Sequence, residues 1–435
     1  MLALSSLLRY PIVFRKISRV FRARIFIPGV REQYAHGATR TAATIMKRKI
    51  VISINTTWNI YNFRKGLIQE LIKAGYEVIA LAPHDQYSER LQELGCRVID
   101  LPMDNNGTHP GRDLVLLARY YSVLRSLRPY AFLGYTVKPN VYGSLAAHAL
   151  GIPVVNNIAG LGATFIRDSL VTKIVKGLYK AALKRSHKVF FQNADDLALF
   201  TSAKLVPQRS TGLVPGSGLN LGHYVPTETV PSAQQPFRFL LVARMLKDKG
   251  IEEFAEAARQ VRRVNAAVEF QLLGASGEGN PNGIPAEKLR AWEDEGLVTY
   301  LGRTDDVRPY LSAADCVVLP SYREGVPRSL LEAAAMARPI IATDVVGCRD
   351  AVDDGVTGML CKVKCPVALA EKMREMIALS PAQRAAMGSA GRLKVETQYD
   401  EQLVIQKYLQ ALDAIAKPVS TRVDVADLLP ERMNS

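Results

Sequence analysis

The sequence predicts an α/β protein made of two doubly wound, Rossmann-like domains, each with a parallel sheet between layers of helices. The chain has 435 residues, which is too long for one hydrophobic core and suits two domains. Short apolar segments alternate with amphipathic segments from Ile50 onward, and the alternation starts again at Phe237. Residues 207–236 between the halves are rich in Pro, Gly, Ser and Thr, which is typical of a linker.

In the first half, apolar runs predict strands and the periodic segments between them predict helices. The predicted strands are 50–55, 77–82, 97–101, 130–134, 153–157 and 188–191. The predicted helices are 63–74, 86–94, 114–127, 140–150 and 170–186. Gly75 and Gly95 end the first two helices, because glycine readily adopts the left-handed conformation that follows many helices.

The second half repeats the same order of elements. The predicted strands are 237–242, 269–273, 299–301, 316–319 and 340–342, and the predicted helices are 251–263, 285–295, 306–313, one from about 329, 366–379, 381–396 and 401–416. The predicted organisation is therefore a basic extension (1–45), a first domain (46–206), the linker, a second domain (237–398), a last helix (399–417) and a tail (418–435).

Positive charge is concentrated near the amino terminus. Residues 1–50 carry eleven Lys and Arg and one Glu, which is +10 of the total net charge of +15. This predicts an anionic partner there, and we favour a lipid surface over nucleic acid because base-reading motifs and zinc-finger spacings are absent from the sequence. Two alternatives stay open for residues 1–45: a basic interfacial helix after Pro11, or an extension that is poorly ordered or wrongly assigned, since Met46 looks like a natural start.

Cysteine usage and hydropathy limit the protein class further. Five scattered cysteines fit a reducing compartment, and Cys361 and Cys365 lack the second pair that a structural metal site would need. No uncharged apolar run of about eighteen residues occurs, so the sequence predicts no membrane-spanning helix.

The chemistry centres on residues 316–344, which read as a buried strand, a polar loop, a helix and a second strand. Glu324 lies in the loop and Glu332 lies eight residues later in the helix. Ligands of parallel sheets bind at the carboxyl ends of strands, and backbone amides near Gly325 and Val326 can receive a phosphate or a hydroxyl-rich ligand. Two glutamates at this spacing alone would describe only a solvated helix face.

The surrounding residues make the pattern specific. PSYREGVPRSLLEAAAMARPIIATDVVGCRDAVDDGVTGML resembles, over some forty residues, the E-x7-E segment of retaining glycosyltransferases of family 4. That resemblance implies the GT-B fold, in which two Rossmann-like domains face each other across a cleft. It also implies that the last helix crosses back to the first domain.

The resemblance assigns roles in binding a nucleotide-sugar donor. It implies that Arg244 and Lys249 bind the diphosphate, that Glu324 orients the donor sugar and that Glu332 accepts hydrogen bonds from the ribose. Backbone contacts of Arg303 to the base are implied as well, and Gly325, Val326 and Pro327 complete the predicted donor site. Fixed cations stabilise a diphosphate as it departs. Because no D-x-D motif occurs in the chain, we predict transfer without a metal or other cofactor.

Three polar loops of the first half predict the acceptor site. They contain Asn55 and Thr56, Lys138 as a contact to an acceptor phosphate, and Asn157 with Gly160. These loops resemble the branch of the family that acts on polyprenyl-diphosphate-linked sugars in bacterial polysaccharide or glycan assembly. The sequence departs from the family pattern at Ala159, near which many members have a histidine, and at Asn220, which replaces an acidic residue of the linker turn. A histidine general base is therefore not expected.

A basic stripe predicts contact with an anionic membrane surface. Its lysines, spaced by three, four and four residues along one helix face, are Lys173, Lys176, Lys180 and Lys184. Apolar residues at neighbouring positions, as in an interfacial helix, are Val171, Ile174, Val175 and Leu178. The alternative is a solvated face on a packed helix.

The resulting hypothesis is a hexosyl- or N-acetylhexosaminyltransferase that uses a nucleotide sugar, UDP-linked by expectation, and works peripherally at the cytoplasmic face of the inner membrane. A sugar-nucleotide epimerase, or a transferase with a soluble acceptor, is the alternative within the same fold. A nucleic-acid-binding protein is suggested only by the charge, and we expect no nucleic-acid partner.

Overall fold

The computed structural model describes residues 47–104, 109–160, 170–227 and 235–416. The predictions for residues 1–45 and for the tail at 418–435 lie outside these ranges. Within the described ranges, no helix is both long enough and apolar enough to cross a membrane.

The strands of the first half form one parallel sheet. They are β1 (Lys49–Ser53), β2 (Glu77–Ala82), β3 (Arg97–Asp100), β4 (Ala131–Gly134), β5 (Val154–Ile158), β6 (Lys188–Phe191) and β7 (Thr211–Leu213). In the described residues the sheet has the order β3-β2-β1-β4-β5-β6-β7. The connecting helices are α1 (Thr57–Lys73), α2 (Ser88–Glu93), α3 (Pro110–Leu127), α4 (Ser144–Ala149), α5 (Leu170–Leu183) and α6 (Ala194–Ser202). We call these elements the first lobe.

The second half forms its own parallel sheet. Its strands are β8 (Phe237–Val242), β9 (Val268–Leu273), β10 (Thr299–Tyr300), β11 (Cys316–Leu319), β12 (Ile340–Thr343) and β13 (Gly358–Cys361). Across the described residues their order is β10-β9-β8-β11-β12-β13. The helices are α7 (Ile251–Arg262), α8 (Ala286–Asp294), α9 (Arg308–Ala313), α10 (Arg328–Ala335), α11 (Cys348–Ala351), α12 (Pro366–Ala378) and α13 (Pro381–Gln398). We call these elements the second lobe.

Both sheets reverse their strand order beside the first strand of the lobe. β1 lies between β2 and β4, and β8 lies between β9 and β11. A crevice forms at such a switch point, outside the carboxyl ends of the strands. β1, β4 and β11 are almost entirely buried. Because helices cover both faces of a parallel sheet, such strands appear in the sequence as nearly continuous apolar runs. The fold class predicted from the sequence is confirmed.

The last helix, α14 (Glu401–Ala416), packs into the core of the first lobe. Tyr408 is fully buried against Tyr135 and Phe190, with ring centroids 5.9 and 5.0 Å apart. The Tyr130 hydroxyl also donates a hydrogen bond of 3.0 Å to the carbonyl of Leu412. The chain therefore returns to the first lobe after building the second.

Several element boundaries differ from those predicted. α1 begins at Thr57 rather than at 63, because the Thr56 hydroxyl accepts a hydrogen bond from the Asn59 amide and caps the helix there. β7 lies inside the predicted linker and extends the first sheet to Leu213. The short elements α6, α11 and β13 carry too little periodicity to be found from the sequence.

A single turn of π-helix at Pro139–Gly143 replaces the start of the α-helix that was predicted from residue 140. Gly143 packs against the Cζ end of the buried Phe132 ring, and an added Cβ would overlap that ring. Glycine at this position therefore serves the packing of this turn against β4.

We expect Gly143→Ala to lower the free energy of unfolding by about 1–3 kcal/mol, as overpacking of a filled core does. Gly177→Ala is the matched control. Gly177 lies within α5 with open space around its Cα, so alanine there should be neutral or stabilise by up to about 1 kcal/mol. Urea unfolding of both variants measures the difference, and equal stabilities would contradict the packing argument.

Candidate active site

A cleft of about 1610 Å³ lies between the two lobes. The first lobe contributes residues from the amino-terminal part of α1 and from the loop after β2. The second lobe contributes the loops that follow β8, β9, β10 and β11. Every predicted donor-site residue except Gly325 lines this cleft, namely Arg244, Lys249, Arg303, Glu324, Val326, Pro327 and Glu332.

Glu324 is held in the loop between β11 and α10. Its backbone amide donates to the carbonyl of Val346, 3.0 Å away, in the loop after β12. Gly347 in that loop has φ +85°, and a Cβ on it would lie 2.6 Å from the carbonyl oxygens of Glu324 and Gly325. The two loops therefore fix each other at the carboxyl edge of the second sheet.

The Glu324 carboxylate forms an ion pair with Lys249. The Oε1–Nζ distance is 2.5 Å, and the two side chains are only 15% and 17% exposed. Lys249 directly precedes Gly250, whose φ is +72° and where a Cβ would overlap the carbonyl of Pro320. This close approach holds the lysine against the Glu324 loop, so any anion that reaches Lys249 has to share it with the carboxylate or displace the carboxylate.

Glu332 lies in α10 and is 9% exposed. Its Oε1 accepts hydrogen bonds from the Arg328 guanidinium (2.7 Å) and from the Tyr224 hydroxyl (2.8 Å). Burial and the neighbouring carboxylate raise the pKa of Tyr224, so its hydroxyl remains protonated as the donor. The glutamate is thereby oriented before any ligand arrives.

Arg244 follows β8 and projects into the cleft. It is exposed and, over the described ranges, forms no side-chain hydrogen bond or ion pair. Arg303, in the loop after β10, also lines the cleft. Its guanidinium lies 3.7 Å from the Asp305 carboxylate, and its side chain is 52% exposed. Asp305 also accepts a hydrogen bond of 2.6 Å from the hydroxyl of Tyr87 in the first lobe, so this part of the cleft is closed by a contact between the lobes.

Of the predicted acceptor residues, Asn55 and Thr56 line the cleft. Both also serve the start of α1, where Asn55 accepts from the Asn59 side chain at 2.9 Å. The carboxylate of Asp85 accepts from the amide of Trp58 at 3.2 Å. Since the protein's own carboxylate already occupies this helix start, it is a poor position for a second anion.

The other predicted acceptor residues are placed differently. Lys138 does not line the cleft; its ammonium pairs with Asp113 at 2.9 Å, and the two side chains are 14% and 9% exposed. Asn157 is fully buried and donates to the hydroxyl of Tyr408 at 3.0 Å. Gly160, with φ +113°, lies against the backbone of Gly325, so it sits where the two lobes touch.

The sequence analysis missed Arg328, which joins both lobes at the cleft. In addition to its bond to Glu332, its Nη1 donates to the hydroxyl of Ser217 at 3.2 Å, and its guanidinium lies 5.0 Å from the ring centroid of Phe63. The i,i+4 spacing to Glu332 was the available signal. Tyr224, the other partner of Glu332, was hidden in the predicted linker.

The cleft has no preformed metal site in the described part of the chain. Among those residues, no group of three or more His, Cys, Asp or Glu side chains is arranged to hold a metal ion.

The sequence matches two family models and several known proteins. Residues 63–215 match a model described as glycosyl transferase 4-like domain, and residues 236–378 match one described as glycosyl transferases group 1. A Campylobacter jejuni protein named N,N'-diacetylbacillosaminyl-diphospho-undecaprenol alpha-1,3-N-acetylgalactosaminyltransferase is 30% identical over 384 residues, covering 83% of this chain and 97% of the relative.

Two further proteins are similar. An Escherichia coli protein named UDP-Gal:alpha-D-GlcNAc-diphosphoundecaprenol alpha-1,3-galactosyltransferase is 23% identical over 262 residues, covering 58% of this chain and 67% of the relative. The crystal structure of Anabaena Alr3699/HepE in complex with UDP-glucose superposes with a TM-score of 0.70 at 17% identity, covering 84% of this chain and all of that one.

Proposed function

Because the chain belongs to the group 1 glycosyl transferases, we propose that it transfers a sugar from a UDP-sugar to a polyprenyl-diphosphate-linked glycan with retention at the anomeric carbon. The reaction belongs to bacterial polysaccharide or glycan assembly, at the cytoplasmic face of the inner membrane. The observation that carries the proposal is the pairing of Glu324 with Lys249 in a cleft that also contains the unpaired Arg244.

The positive charges of the second-lobe part of the cleft support its assignment as the donor site. When the bond from the sugar to the nucleoside diphosphate breaks, negative charge develops on the oxygen that bridged them, and cations fixed near that oxygen stabilise the transition state as the diphosphate leaves. Arg244 is free to bind the diphosphate, and Lys249 becomes free as the donor displaces Glu324. The released carboxylate can then accept a hydrogen bond from a hydroxyl of the donor sugar. Because these cations supply the positive charge, we expect no need for a metal.

In the acceptor half, the names of two relatives support a lipid diphosphate. Both are named for undecaprenyl-linked diphosphate acceptors and α-1,3 transfer. Lys138, predicted to meet this phosphate, is occupied by Asp113. Lys65 on the cleft face of α1 is exposed, and among the described residues its charge reaches the Glu401 carboxylate without forming an ion pair, so we assign the acceptor phosphate contact to Lys65.

The basic stripe on α5 supports docking on an anionic membrane. Lys180 and Lys184, together with Lys204, line a groove of about 350 Å³. Ile174 beside them is 48% exposed. The sequence analysis placed Val175 and Leu178 on this face too, but both pack against the core of the first lobe. Val171 lies outside the residues whose side chains are described.

We expect the double change Lys173→Glu and Lys176→Glu to weaken binding to phosphatidylglycerol-containing vesicles by about tenfold or more, at roughly 1 kcal/mol per basic residue. The charge-matched control is Lys73→Glu with Lys372→Glu, which alters lysines already paired with Glu70 and Glu375. Vesicle co-sedimentation at low and high salt measures the effect. Equal losses in both double variants would show that only net charge matters and would contradict a docking face.

The donor assignment is tested by thermal unfolding with a panel of UDP- and GDP-sugars in the presence of EDTA. We expect stabilisation by a UDP-sugar that EDTA leaves unchanged. Conversion of the sugar nucleotide without an acceptor would indicate an epimerase instead. Stabilisation that requires a divalent ion would contradict the metal-independent site.

A further inference from the structure

The loop that carries Glu324 is held by the first lobe on both sides of the glutamate. On one side, Arg323 forms an ion pair with Asp196 at the start of α6. On the other side, the side-chain amide of Asn193 donates to the carbonyl of Gly325 at 3.1 Å. We call these two contacts the interlobe clamp. Of the four residues in the clamp, only Gly325 was predicted to belong to the donor site.

The first-lobe part of the clamp is buried and hydrogen-bonded internally. Asp196 is fully buried and Asn193 is 4% exposed. Asn193 caps α6 by accepting from the Asp196 amide at 2.7 Å, and its side-chain amide also donates to the Asp196 carboxylate at 3.1 Å. A buried carboxylate is costly unless it is paired, so separating the lobes would leave Asp196 without its cation. The clamp therefore favours the closed arrangement of the cleft.

The lobes meet at this loop with no spare room. A Cβ on Gly325 would lie 2.6 Å from the carbonyl oxygen of Ala159 and 2.8 Å from the Gln192 side chain. A Cβ on Gly160 would lie 3.3 Å from the amide nitrogen of Gly325. Because both positions are glycine, the Glu324 loop can pack directly against the carboxyl ends of β5 and β6.

We propose that Asn193 and Asp196 are positioning residues through which the first lobe sets Glu324 in its working orientation. The donor site is then complete only while the lobes are closed, which couples placement of the donor sugar to the lobe that holds the acceptor. This inference rests on the proposed function, because it takes Glu324 as the contact to the donor sugar.

The clamp should affect the orientation of Glu324 but not the binding of the nucleotide. Arg244, Lys249 and Glu332 belong to the second lobe, so binding of the nucleotide does not depend on the clamp. The orientation of Glu324 does depend on it, and misplacement of a reacting group by about 1 Å can cost about a hundredfold in rate. Loss of the clamp should therefore lower kcat and leave the affinity for UDP unchanged.

The test uses the full chain, four clamp variants and one control variant. Asp196→Asn and Arg323→Gln each remove one charge of the pair, and the double variant removes both. Asn193→Ser loses the donor to Gly325 but keeps a side chain that caps α6 well. Asp195→Asn is the matched control, since Asp195 is the exposed neighbour of Asp196 on the same helix turn. Its charge repels that of Asp350 in the second lobe, so its removal should not separate the lobes. Thermal unfolding checks that each variant folds.

Calorimetry measures the affinity for UDP. Release of UDP from the donor measures both acceptor-free hydrolysis and transfer. Small-angle X-ray scattering measures the closure of the lobes. We expect kcat to fall about tenfold or more in Asp196→Asn and Asn193→Ser. UDP affinity should stay within about twofold, and the double variant should be no slower than the single variants, because both remove the same contact. Scattering should show a larger radius of gyration in the Asp196 variants.

Equal kcat in Asp196→Asn and Asp195→Asn would overturn the inference, as would additive losses in the double variant. A loss of UDP affinity that parallels the loss of kcat would overturn it too, since this is the result of a merely structural defect. Failure of the proposed function is distinguishable, because the wild-type protein would then neither bind UDP nor release it from a UDP-sugar. The change in radius of gyration would still be measurable in that case.

Discussion

Arg244→Ala is expected to lower kcat/KM for the donor by about a hundredfold or more and to abolish stabilisation of the protein by UDP. Removing one fixed charge that faces developing negative charge typically has an effect of about 10²–10³ in rate. Arg244 is exposed and has no side-chain partner among the described residues, so its loss should leave the melting temperature of the free protein unchanged. The whole effect should therefore appear only with ligand present.

The matched control for Arg244 is Arg290→Ala. Arg290 is an exposed arginine of α8 in the same lobe, and it lies outside the cleft. Its replacement should change neither UDP binding nor turnover. If Arg244→Ala binds UDP as tightly as the wild-type protein does, the diphosphate binds elsewhere and the donor site is wrongly assigned.

Glu324→Gln is expected to lower kcat by about a hundredfold or more while UDP binds as tightly as before or more tightly. The amide keeps the size of the carboxylate but loses the charge that positions the donor sugar. It also stops competing for Lys249, whose ammonium lies 2.5 Å from Glu324 in the free protein. A variant with less activity and undiminished affinity for the product nucleotide is an unusual combination, and the ion pair predicts it.

Glu371→Gln is the control for this charge change, because Glu371 is an exposed residue of α12 away from the cleft. Parallel measurement of kcat and of UDP affinity by calorimetry separates the two effects. Weaker UDP binding in Glu324→Gln would contradict the view that the carboxylate restrains Lys249 in the free protein.

The elements that carry the predicted donor residues were well predicted because their signals are local in sequence. The strand, loop and helix that carry Glu324 and Glu332 lie within one segment, and β11 was predicted with its exact bounds. Lys249 directly precedes Gly250, and α7 then begins at Ile251, as predicted. The rule that ligands bind at the carboxyl ends of parallel strands then suffices to bring these side chains into one cleft.

The partners of the predicted acceptor residues were harder to predict, because they come from segments far away in the sequence. Lys138 follows a strand end, as a binding residue would, but Asp113 from α3 neutralises it. Asn157 looked like a loop residue, yet β5 continues to Ile158, and the Asn157 side chain bonds to Tyr408 of the last helix. Neither Asp113 nor Tyr408 is near its partner in the sequence, so no local pattern reveals the pairing.

The interlobe contacts escaped the sequence analysis for the same reason. Asp196 and Arg323 are 127 residues apart, and each looks like an ordinary surface charge. Tyr224, in a segment read as linker, orients Glu332 from 108 residues away. Patterns within one segment predict the chemistry of a loop, whereas the groups that orient the loop come from the tertiary fold.

The most direct test of the proposed function is transfer of a labelled N-acetylhexosamine or hexose from its UDP-sugar to an undecaprenyl-diphosphate-linked saccharide, with EDTA present. The same saccharide without the lipid diphosphate serves as the comparison acceptor. We predict an α-linked product on the lipid diphosphate acceptor, verified by NMR, and little transfer to the free saccharide. Equal transfer to both acceptors, or an inverted linkage, would contradict the account.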